Sequence, residues 1–335
     1  MRLFRPGRLL VAGLALLAVA LVLLVVPSSD YIFLPDRAHP VAPLVTVKGG
    51  HDPRRGGVYF VDVVVRKATV LERLFGGLHE GADLYPPQAV NPPGVNQQQR
   101  HTLDLQDMQR SQVIAGAVAE RAAGKKVVVR PTGARVNFVQ QGLPAFGKLQ
   151  PGDVIVAIDG RPVHTLVDVH TRMTAQHVGD VVAFTVHRGK QTLVERMKTI
   201  GAGTGADRRP IVGVALEPAL DIHLPIPVRI DAGNVGGPSA GVAFALEVME
   251  ELGRDVVHGH KVAATGEINP DGSIGPIGGI KQKTIGAREA HVDAFLVPAG
   301  ENAAEARKHA AGLRIIPVKT FPQALRALAT LPQNG

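Results

Sequence analysis

The chain of 335 residues contains no cysteine and no tryptophan, and aromatic residues make up only 4% of it. Without thiols, the protein has no cysteine nucleophile, no disulfide bridge and no thiolate metal ligand. The scarcity of aromatic rings also argues against a site whose main task is to stack bases or sugars. Any catalytic chemistry must therefore use hydroxyl, amine, carboxylate or imidazole groups.

Concentrated positive charge and metal-binding motifs are also missing. The formal net charge is +8, but Arg2, Arg5 and Arg8 supply three of these charges and the others are dispersed. A nucleic-acid-binding protein usually concentrates its basic residues on one element, so we expect no nucleic-acid partner. His79-Glu80 lacks the second histidine of a zinc-protease helix, and we expect neither a metal ion nor a cofactor.

One long hydrophobic run is present near the N-terminus. Residues 9–26 form 18 consecutive uncharged positions, which as a helix would span roughly 27 Å, enough for a bilayer core. The arginines before the run predict that residues 1–8 stay in the cytoplasm and that the rest of the chain crosses the membrane. A cleaved signal peptide is the alternative, but its apolar region is usually shorter and no small-x-small cleavage site follows Val26.

The segment after this run predicts a linker followed by mixed helix and strand. Residues 27–56 are interpreted as an extended linker and the start of the soluble part. The β-branched stretch 58–65 predicts a strand, and 69–78 predicts a short helix. Residues 86–99 contain four prolines and a glutamine run, typical of an exposed loop. Helical spacing returns at 105–123.

Residues 127–200 have a different pattern of short strands and turns. They contain the turn Leu149-Gln-Pro-Gly-Asp153, the hairpin Ile158-Asp-Gly160 and the late pair Gly179-Asp180 before a strand. This succession resembles a bacterial PDZ domain. The resemblance implies a small β-sandwich that binds peptide ends or extended segments by adding them to a sheet edge.

Strand and helix patterns alternate through residues 207–332, which predicts a layered α/β (α+β) domain. Within it, Gly236-Gly-Pro-Ser-Ala-Gly241 precedes an amphipathic helix. Pro238 suits the first helical turn, Gly237 allows close approach of a substrate backbone, and Ser239 lies where backbone N–H groups lack helical partners. Ser239 is therefore a candidate nucleophile.

A serine hydroxyl needs a base, and no His/Asp pair is ordered along the chain to complete a triad. A lysine kept neutral by burial is the alternative. Lys281 lies among Ile277, Ile280 and Ile285, which could desolvate it. Lys283, two residues further on, is expected to point elsewhere and to be solvated.

Four motifs in their order along the chain resemble the proteolytic domain of Lon proteases. They are Asp221-Ile-His-Leu-Pro225, Gly237-Pro-Ser-Ala-Gly241, Ala264-Thr-Gly-Glu-Ile268 and Gly275-Pro-Ile-Gly-Gly-Ile-Lys281. The resemblance implies that Ser239 is the nucleophile, that Lys281 is its general base and that Thr265 orients the lysine amine. It also implies that 57–124 is the N-terminal part of the same fold, with the PDZ domain inserted, and that the protein forms a homo-oligomer.

Two departures from the Lon pattern affect the expected function. Val235-Gly236-Gly237 stands where Lon proteases commonly carry Lys-Asp-Gly, so an acidic residue is missing. The one near match to a phosphate loop, Gly142–Leu149, has leucine where serine or threonine must reach magnesium. We therefore expect no nucleotide and an ATP-independent serine endopeptidase that cleaves flexible or unfolded chains outside the cytoplasmic membrane, with the PDZ domain selecting or gating substrates. A non-enzymatic PDZ adaptor and a peptidase that matures only its own chain are the alternatives.

Overall fold

The computed structural model describes residues 6–50, 56–91, 97–203 and 208–332, except for the side chains at 6–9, 12, 19, 97 and 99. Residues 1–5 of the predicted cytoplasmic segment and 92–96 of the predicted loop lie outside this part. The helices, in chain order, are α1 Pro6–Val25, α2 Val70–Leu74, α3 Pro87–Val90, α4 Gln97–Ala122, α5 Leu166–Thr174, α6 Gly241–Glu251, α7 Ile280–Glu289, α8 Glu301–His309 and α9 Phe321–Leu328.

The strands fall into an N-terminal set, a central set and a C-terminal set. The N-terminal set comprises β1 Pro27–Pro35, β2 His39–Pro40, β3 Val45–Val47, β4 Gly57–Phe60, β5 Val63–Thr69 and β6 Asp83–Tyr85. The central set comprises β7 Val128–Val139, β8 Val154–Ile158, β9 Arg161–Pro162, β10 Val181–Arg188, β11 Gln191–Lys198, β12 Ile200–Ala202, β13 Arg209–Ile211 and β14 Val214–His223. The C-terminal set comprises β15 Val228–Ile230, β16 Lys261–Ala264, β17 Glu267–Ile268, β18 Ile274–Gly275, β19 Ala294–Pro298 and β20 Arg314–Val318.

Residues 27–50 of the linker predicted at 27–56 instead belong to the folded body. Strand β1 pairs antiparallel with both β5 and β6, and Ile32 is buried. Further on, Val45 and Val47 join the main hydrophobic core. The prediction failed because the two prolines of β1 stand at its ends, where proline is compatible with a strand as well as with a linker.

The N-terminal anchor predicted at 9–26 overlaps α1. Leu9, Ala12 and Val19 in this run belong to the positions whose side chains are not described. Within the described part of the chain, we find no helix with both the length and the apolar character needed to cross a membrane.

A five-stranded sheet in the order β2-β4-β16-β19-β20 forms the centre of the part of the fold outside the central strand set. Successive residues of a strand face opposite sides, and the strand Ala294–Pro298 shows this clearly. Leu296 packs into a core with α4, α6 and α9, whereas Phe295 and Val297 pack into a separate core with α7 and α8. The sheet therefore lies between two helical layers, and α6 and α7 approach it from opposite faces.

The central strands form a sheet in the order β11-β10-β8-β7-β14 around a hydrophobic core of their own. Helix α5 starts with a capping box, in which Thr165 and Asp168 each accept a hydrogen bond from the other's backbone. Strand β14 lies beyond the boundary predicted at residue 200, yet it pairs with β7 over Val214–His223. This strand continues from the small sandwich directly into the predicted catalytic domain.

Candidate active site

Ser239 lies in a tight loop that leads into α6. Gly237 has φ 86°, a conformation that favours glycine, and its N–H donates to the Asp104 carbonyl at 2.8 Å. A Cβ atom at Gly236 would lie 2.8 Å from the Asp104 Cβ, so the backbone passes close to α4 there. A single 3₁₀ turn, Pro238–Ala240, then begins the helix. Pro238 stands in the first turn, where its missing N–H is tolerated, and the approach of a substrate backbone at Gly237 stays a prediction.

The backbone around Ser239 is fixed by hydrogen bonds from two directions. The Gly266 N–H donates to the Ser239 carbonyl at 2.8 Å, and the Thr265 hydroxyl donates to the same oxygen at 3.1 Å. From α4, the Ser111 hydroxyl donates to the Pro238 carbonyl at 3.0 Å. These bonds leave the half-buried Ser239 side chain to make its own contact.

That contact is with Lys283. The Lys283 Nζ lies 2.6 Å from the Ser239 Oγ and 3.4 Å from the Thr265 Oγ1. Lys283 is only 4% exposed, and burial lowers its pKa from 10.5 to about 8, while the nearby negative charge of Asp62 opposes that shift. A buried amine with this pKa is neutral in a substantial fraction of molecules near neutral pH, so it can accept a proton from the hydroxyl.

The structure does not bring Lys281 to Ser239, and the sequence-based assignment of the base is corrected. The Lys281 ammonium instead donates to the Asp83 Oδ1 at 2.8 Å and to the Ala82 carbonyl at 3.3 Å. Its side chain is 27% exposed. The expectation that Lys283 is a solvated charge is wrong, because helix α7 turns this residue toward the nucleophile and buries it.

Comparisons with known proteins identify two regions of the chain. The family model of the Lon protease C-terminal proteolytic domain matches residues 212–329, and that of the PDZ domain matches residues 107–198. The chain thus contains one region similar to the Lon proteolytic domain and one similar to a PDZ domain. Both matched regions contain β-strands that the structure joins through the β7–β14 pair.

The relatives that this chain matches are longer chains. Lon protease 2 of Bacillus subtilis is 28% identical over 53% of this chain and 32% of its own length. Lon protease 2 of Thermus thermophilus is 30% identical over 55% of this chain and 23% of its own length. The chain thus spans about a third or less of each. A solved PDZ domain of an SdrC-like protein from Listeria monocytogenes is 25% identical, covers 25% of this chain and 87% of its own, and has a TM-score of 0.24.

Helical spacing around Lys283 is compatible with its burial but does not single it out. Ile280 and Ala287, three residues before and four residues after Lys283, are both buried and share its face of α7. Lys281 also has apolar neighbours at helical spacing, because α7 is buried on nearly all sides. Only the distant residue Asp83 distinguishes the two lysines, and no local pattern predicts that contact.

A cluster of titratable groups lies behind Lys283. Asp36, His39 and Asp62 bring possible metal-ligand atoms within 4.8 Å of one another, and this donor set suits a zinc-like cation. The Asp62 Oδ1 is buried, lies 4.0 Å from the His39 Nε2 and has no hydrogen-bond partner among the described residues. Burial and the charge of Asp36 raise the pKa of Asp62, whereas His39 and Lys283 lower it. Asp62 is thus electrostatically coupled to the dyad lysine.

An apolar groove lies in the PDZ-like region, between α5 and the start of β14. Its volume is about 520 Å³. It is lined by apolar side chains from α5 and from the β7–β14 pair, including Leu166, Val169, Met173, Phe138, Val214 and Leu216. Strand β14 is at the edge of its sheet. This is the geometry in which an extended peptide adds to a sheet edge.

Proposed function

We propose that this protein is an ATP-independent serine endopeptidase with Ser239 as nucleophile and Lys283 as general base. The observation that carries the proposal is the 2.6 Å contact between the Lys283 Nζ and the Ser239 Oγ, made by a lysine whose burial lowers its pKa to about 8. A hydroxyl paired with a neutral amine is the minimal arrangement for acyl transfer without histidine.

In the proposed mechanism, the neutral Lys283 amine accepts the Ser239 hydroxyl proton as the oxygen attacks a peptide carbonyl. The helix start that follows Ser239 favours the negative charge that develops on the carbonyl oxygen. The Lys283 ammonium then gives its proton to the departing amine, which leaves an acyl-enzyme. Water, deprotonated by the same lysine, hydrolyses the ester and restores the dyad. Thr265 holds the amine in place through its hydroxyl.

Independence from ATP is supported by the sequence, in which the near match at Gly142–Leu149 lacks the magnesium-binding hydroxyl. The structure places that segment in turns and bridges of the PDZ domain. The proposed substrates are flexible or unfolded chains. The PDZ groove provides a surface for selecting them, and a homo-oligomer is proposed from the resemblance to Lon proteases alone.

We place the catalytic domain outside the cytoplasmic membrane, attached by an N-terminal helix. The support is the uncharged run 9–26 after three arginines, together with apolar side chains of α1 that are exposed, such as Leu14, Leu17 and Leu21. Such exposure is unfavourable in water and suits a lipid environment. Retention of the full chain in membranes after alkaline carbonate extraction tests this placement, and release into the soluble fraction would contradict it.

The peptidase proposal is tested with the full chain in detergent, incubated with unfolded casein with and without ATP. We expect cleavage in both conditions, loss of cleavage in Ser239→Ala, and normal cleavage in Ser29→Ala, which changes an exposed serine. A fluorophosphonate probe should label the wild type and not Ser239→Ala. Cleavage that survives in Ser239→Ala would sink the nucleophile assignment. A wild type that cuts nothing except its own chain, or nothing at all, would favour self-maturation or the adaptor.

A further inference from the structure

A second cavity, of about 210 Å³, lies beside the nucleophile. Its walls come from α4, the β7–β14 pair, the loop before Ser239 and strand β17. Two residues that line this cavity, Pro238 and Glu267, are connected to Ser239 by the chain or by a backbone hydrogen bond. Pro238 directly precedes Ser239, and Glu267 directly follows Gly266, whose N–H donates to the Ser239 carbonyl. The cavity therefore borders the loop that carries Ser239.

The cavity is polar, and most of its charges are already paired. The Arg135 Nη1 donates to the Asp107 Oδ1 at 3.0 Å and to the Glu217 Oε1 at 2.6 Å. Arg110 forms a short ion pair with Glu217. These contacts join α4 to both strands of the β7–β14 pair and occupy both guanidinium groups.

Glu267 is the exception. Its carboxylate forms no hydrogen bond or salt bridge with any residue in the described part of the chain, although it lines the cavity. Burial raises the pKa of Glu267, and the negative charges of Glu217 and Asp107 add to that effect while Arg110 opposes it. Three carboxylates, those of Asp107, Glu217 and Glu267, thus line the cavity beside a single lining guanidinium, that of Arg110. Arg135 pairs with Asp107 and Glu217 from outside the lining, so among the residues that the structure describes the Glu267 carboxylate is the one that lacks a counter-charge in contact with it.

The class of side chain that would fill the cavity follows from this balance. An acidic side chain would be repelled by the unpaired Glu267 carboxylate. An apolar side chain would remove water from that carboxylate without supplying a hydrogen-bond partner, which is also unfavourable. An ammonium or guanidinium group would supply the missing counter-charge and form charge-assisted hydrogen bonds. A lysine or arginine stem also has the length to enter from the substrate backbone.

We propose that this cavity is a substrate subsite for a lysine or arginine side chain adjacent to the scissile bond, with Glu267 as the residue that determines this specificity. The inference rests on the peptidase function proposed above and names its substrate class.

The test uses the full chain with quenched fluorescent peptides. A digest of unfolded casein first identifies, by mass spectrometry, the residues that flank each cut, and we expect lysine and arginine to be enriched at one flanking position. Three matched peptides then carry lysine, norleucine or glutamate at that position. We expect kcat/KM to be at least about tenfold higher for lysine than for norleucine, and lowest for glutamate.

Variants of Glu267 locate the preference. Glu267→Gln should reduce the lysine-to-norleucine ratio of kcat/KM by about tenfold, and Glu267→Lys should reverse the order so that the glutamate peptide is cut faster than the lysine peptide. Such a reversal cannot arise from misfolding. Glu301→Gln, an exposed change at the start of α8, is the control and should keep the wild-type ratios.

The outcomes separate the two proposals. Cleavage of all three peptides at similar rates, or ratios that do not change in either Glu267 variant, would overturn the subsite and leave the peptidase proposal intact. No cleavage of any peptide or of casein would overturn the peptidase proposal and the subsite with it.

Discussion

The two sides of helix α7 present lysines in opposite environments. Lys281 faces the segment before β6, where it pairs with the partly exposed carboxylate of Asp83 at 2.8 Å. Lys283 faces the interior, where its amine contacts the hydroxyls of Ser239 and Thr265. Residues two positions apart in a helix are separated by about 200° around its axis. Two lysines that are close in sequence can therefore have unrelated surroundings.

The difference shows that burial, more than sequence neighbourhood, prepares a lysine for base catalysis. A surface ion pair keeps an amine charged and contributes about 0–1 kcal/mol to stability. A buried amine without a bonded carboxylate loses solvation of its charged form, so its pKa falls toward the range in which it can accept a proton. Four experiments test this difference between Lys281 and Lys283.

The largest effect is expected on hydrolysis. Lys283→Met removes the proposed base and should lower kcat/KM for an unfolded peptide by about 10³-fold or more. Lys281→Met is the matched change on the other side of the same helix and should keep kcat/KM within about threefold. Equal losses in both variants would contradict the contrast, and a selective loss in Lys281→Met would restore the original assignment.

The second effect is on the pH dependence of kcat/KM. Because the pKa of Lys283 is about 8 and only its neutral form is active, kcat/KM should rise about tenfold per pH unit below that value and level off above it. Lys281→Met should have the same profile as the wild type. A profile that is flat between pH 6 and 9 would be incompatible with Lys283 as the base.

The third effect is on stability. The pKa of Lys283 falls from 10.5 in the unfolded chain to about 8 in the fold, so the unfolded state binds more protons between these values and stability rises with pH across that window. Below about pH 8 the charged, buried amine destabilises the fold by up to roughly 3 kcal/mol.

Lys283→Met should therefore be more stable than the wild type at pH 7, by about 1–3 kcal/mol. Denaturant unfolding at pH 7 and at pH 10.5 measures the difference, which should shrink at the higher pH. A variant less stable than the wild type at pH 7 would show that the ammonium is well accommodated.

The smallest effect is expected from removing the negative charge of Asp62, which lies near Lys283. Asp62→Asn removes the negative charge that opposes the fall of the Lys283 pKa, so the midpoint of the pH profile should move to lower pH. Activity at pH 7 should then rise by about two- to fivefold. Asp83→Asn, which alters the Lys281 side, is the control and should not move the midpoint. A midpoint that moves upward would mean that Asp62 acts in another way.

Sequence reasoning located the candidate nucleophile because the signal was local. Gly237-Pro-Ser-Ala-Gly241 combines a glycine-dependent loop, a proline at a helix start and an apolar helix face within one segment. The sequence also predicts strands at 262–265, 294–297 and 313–318 and helices near 281–290, 301–310 and 320–329. These agree with β16, β19, β20, α7, α8 and α9 to within about one or two residues, since their apolar periodicity reflects a two-sided sheet. The short strands β17 and β18 are not predicted.

What the sequence could not supply was contact between distant segments. The choice between Lys281 and Lys283 depends on Asp83, some 200 positions earlier, and the burial of β1 depends on pairing with β5 and β6. The boundary predicted at residue 200 missed that β14 pairs with β7. Each of these errors concerns a tertiary partner that no local propensity encodes.

The β7–β14 pair links the PDZ groove to the nucleophile without a flexible connection. On β14, Leu216 lines the groove and the next residue, Glu217, lines the cavity beside Pro238. On β7, Phe138 likewise lines the groove and Asn137 lines the cavity. The register of the β7–β14 pair shifts at this point, between Ala215 and Leu216. If one end of a substrate occupies the groove, cleavage of its neighbouring segment becomes an intramolecular event. The local concentration of that segment at Ser239 is then on the order of millimolar, whatever the dilution of the substrate outside.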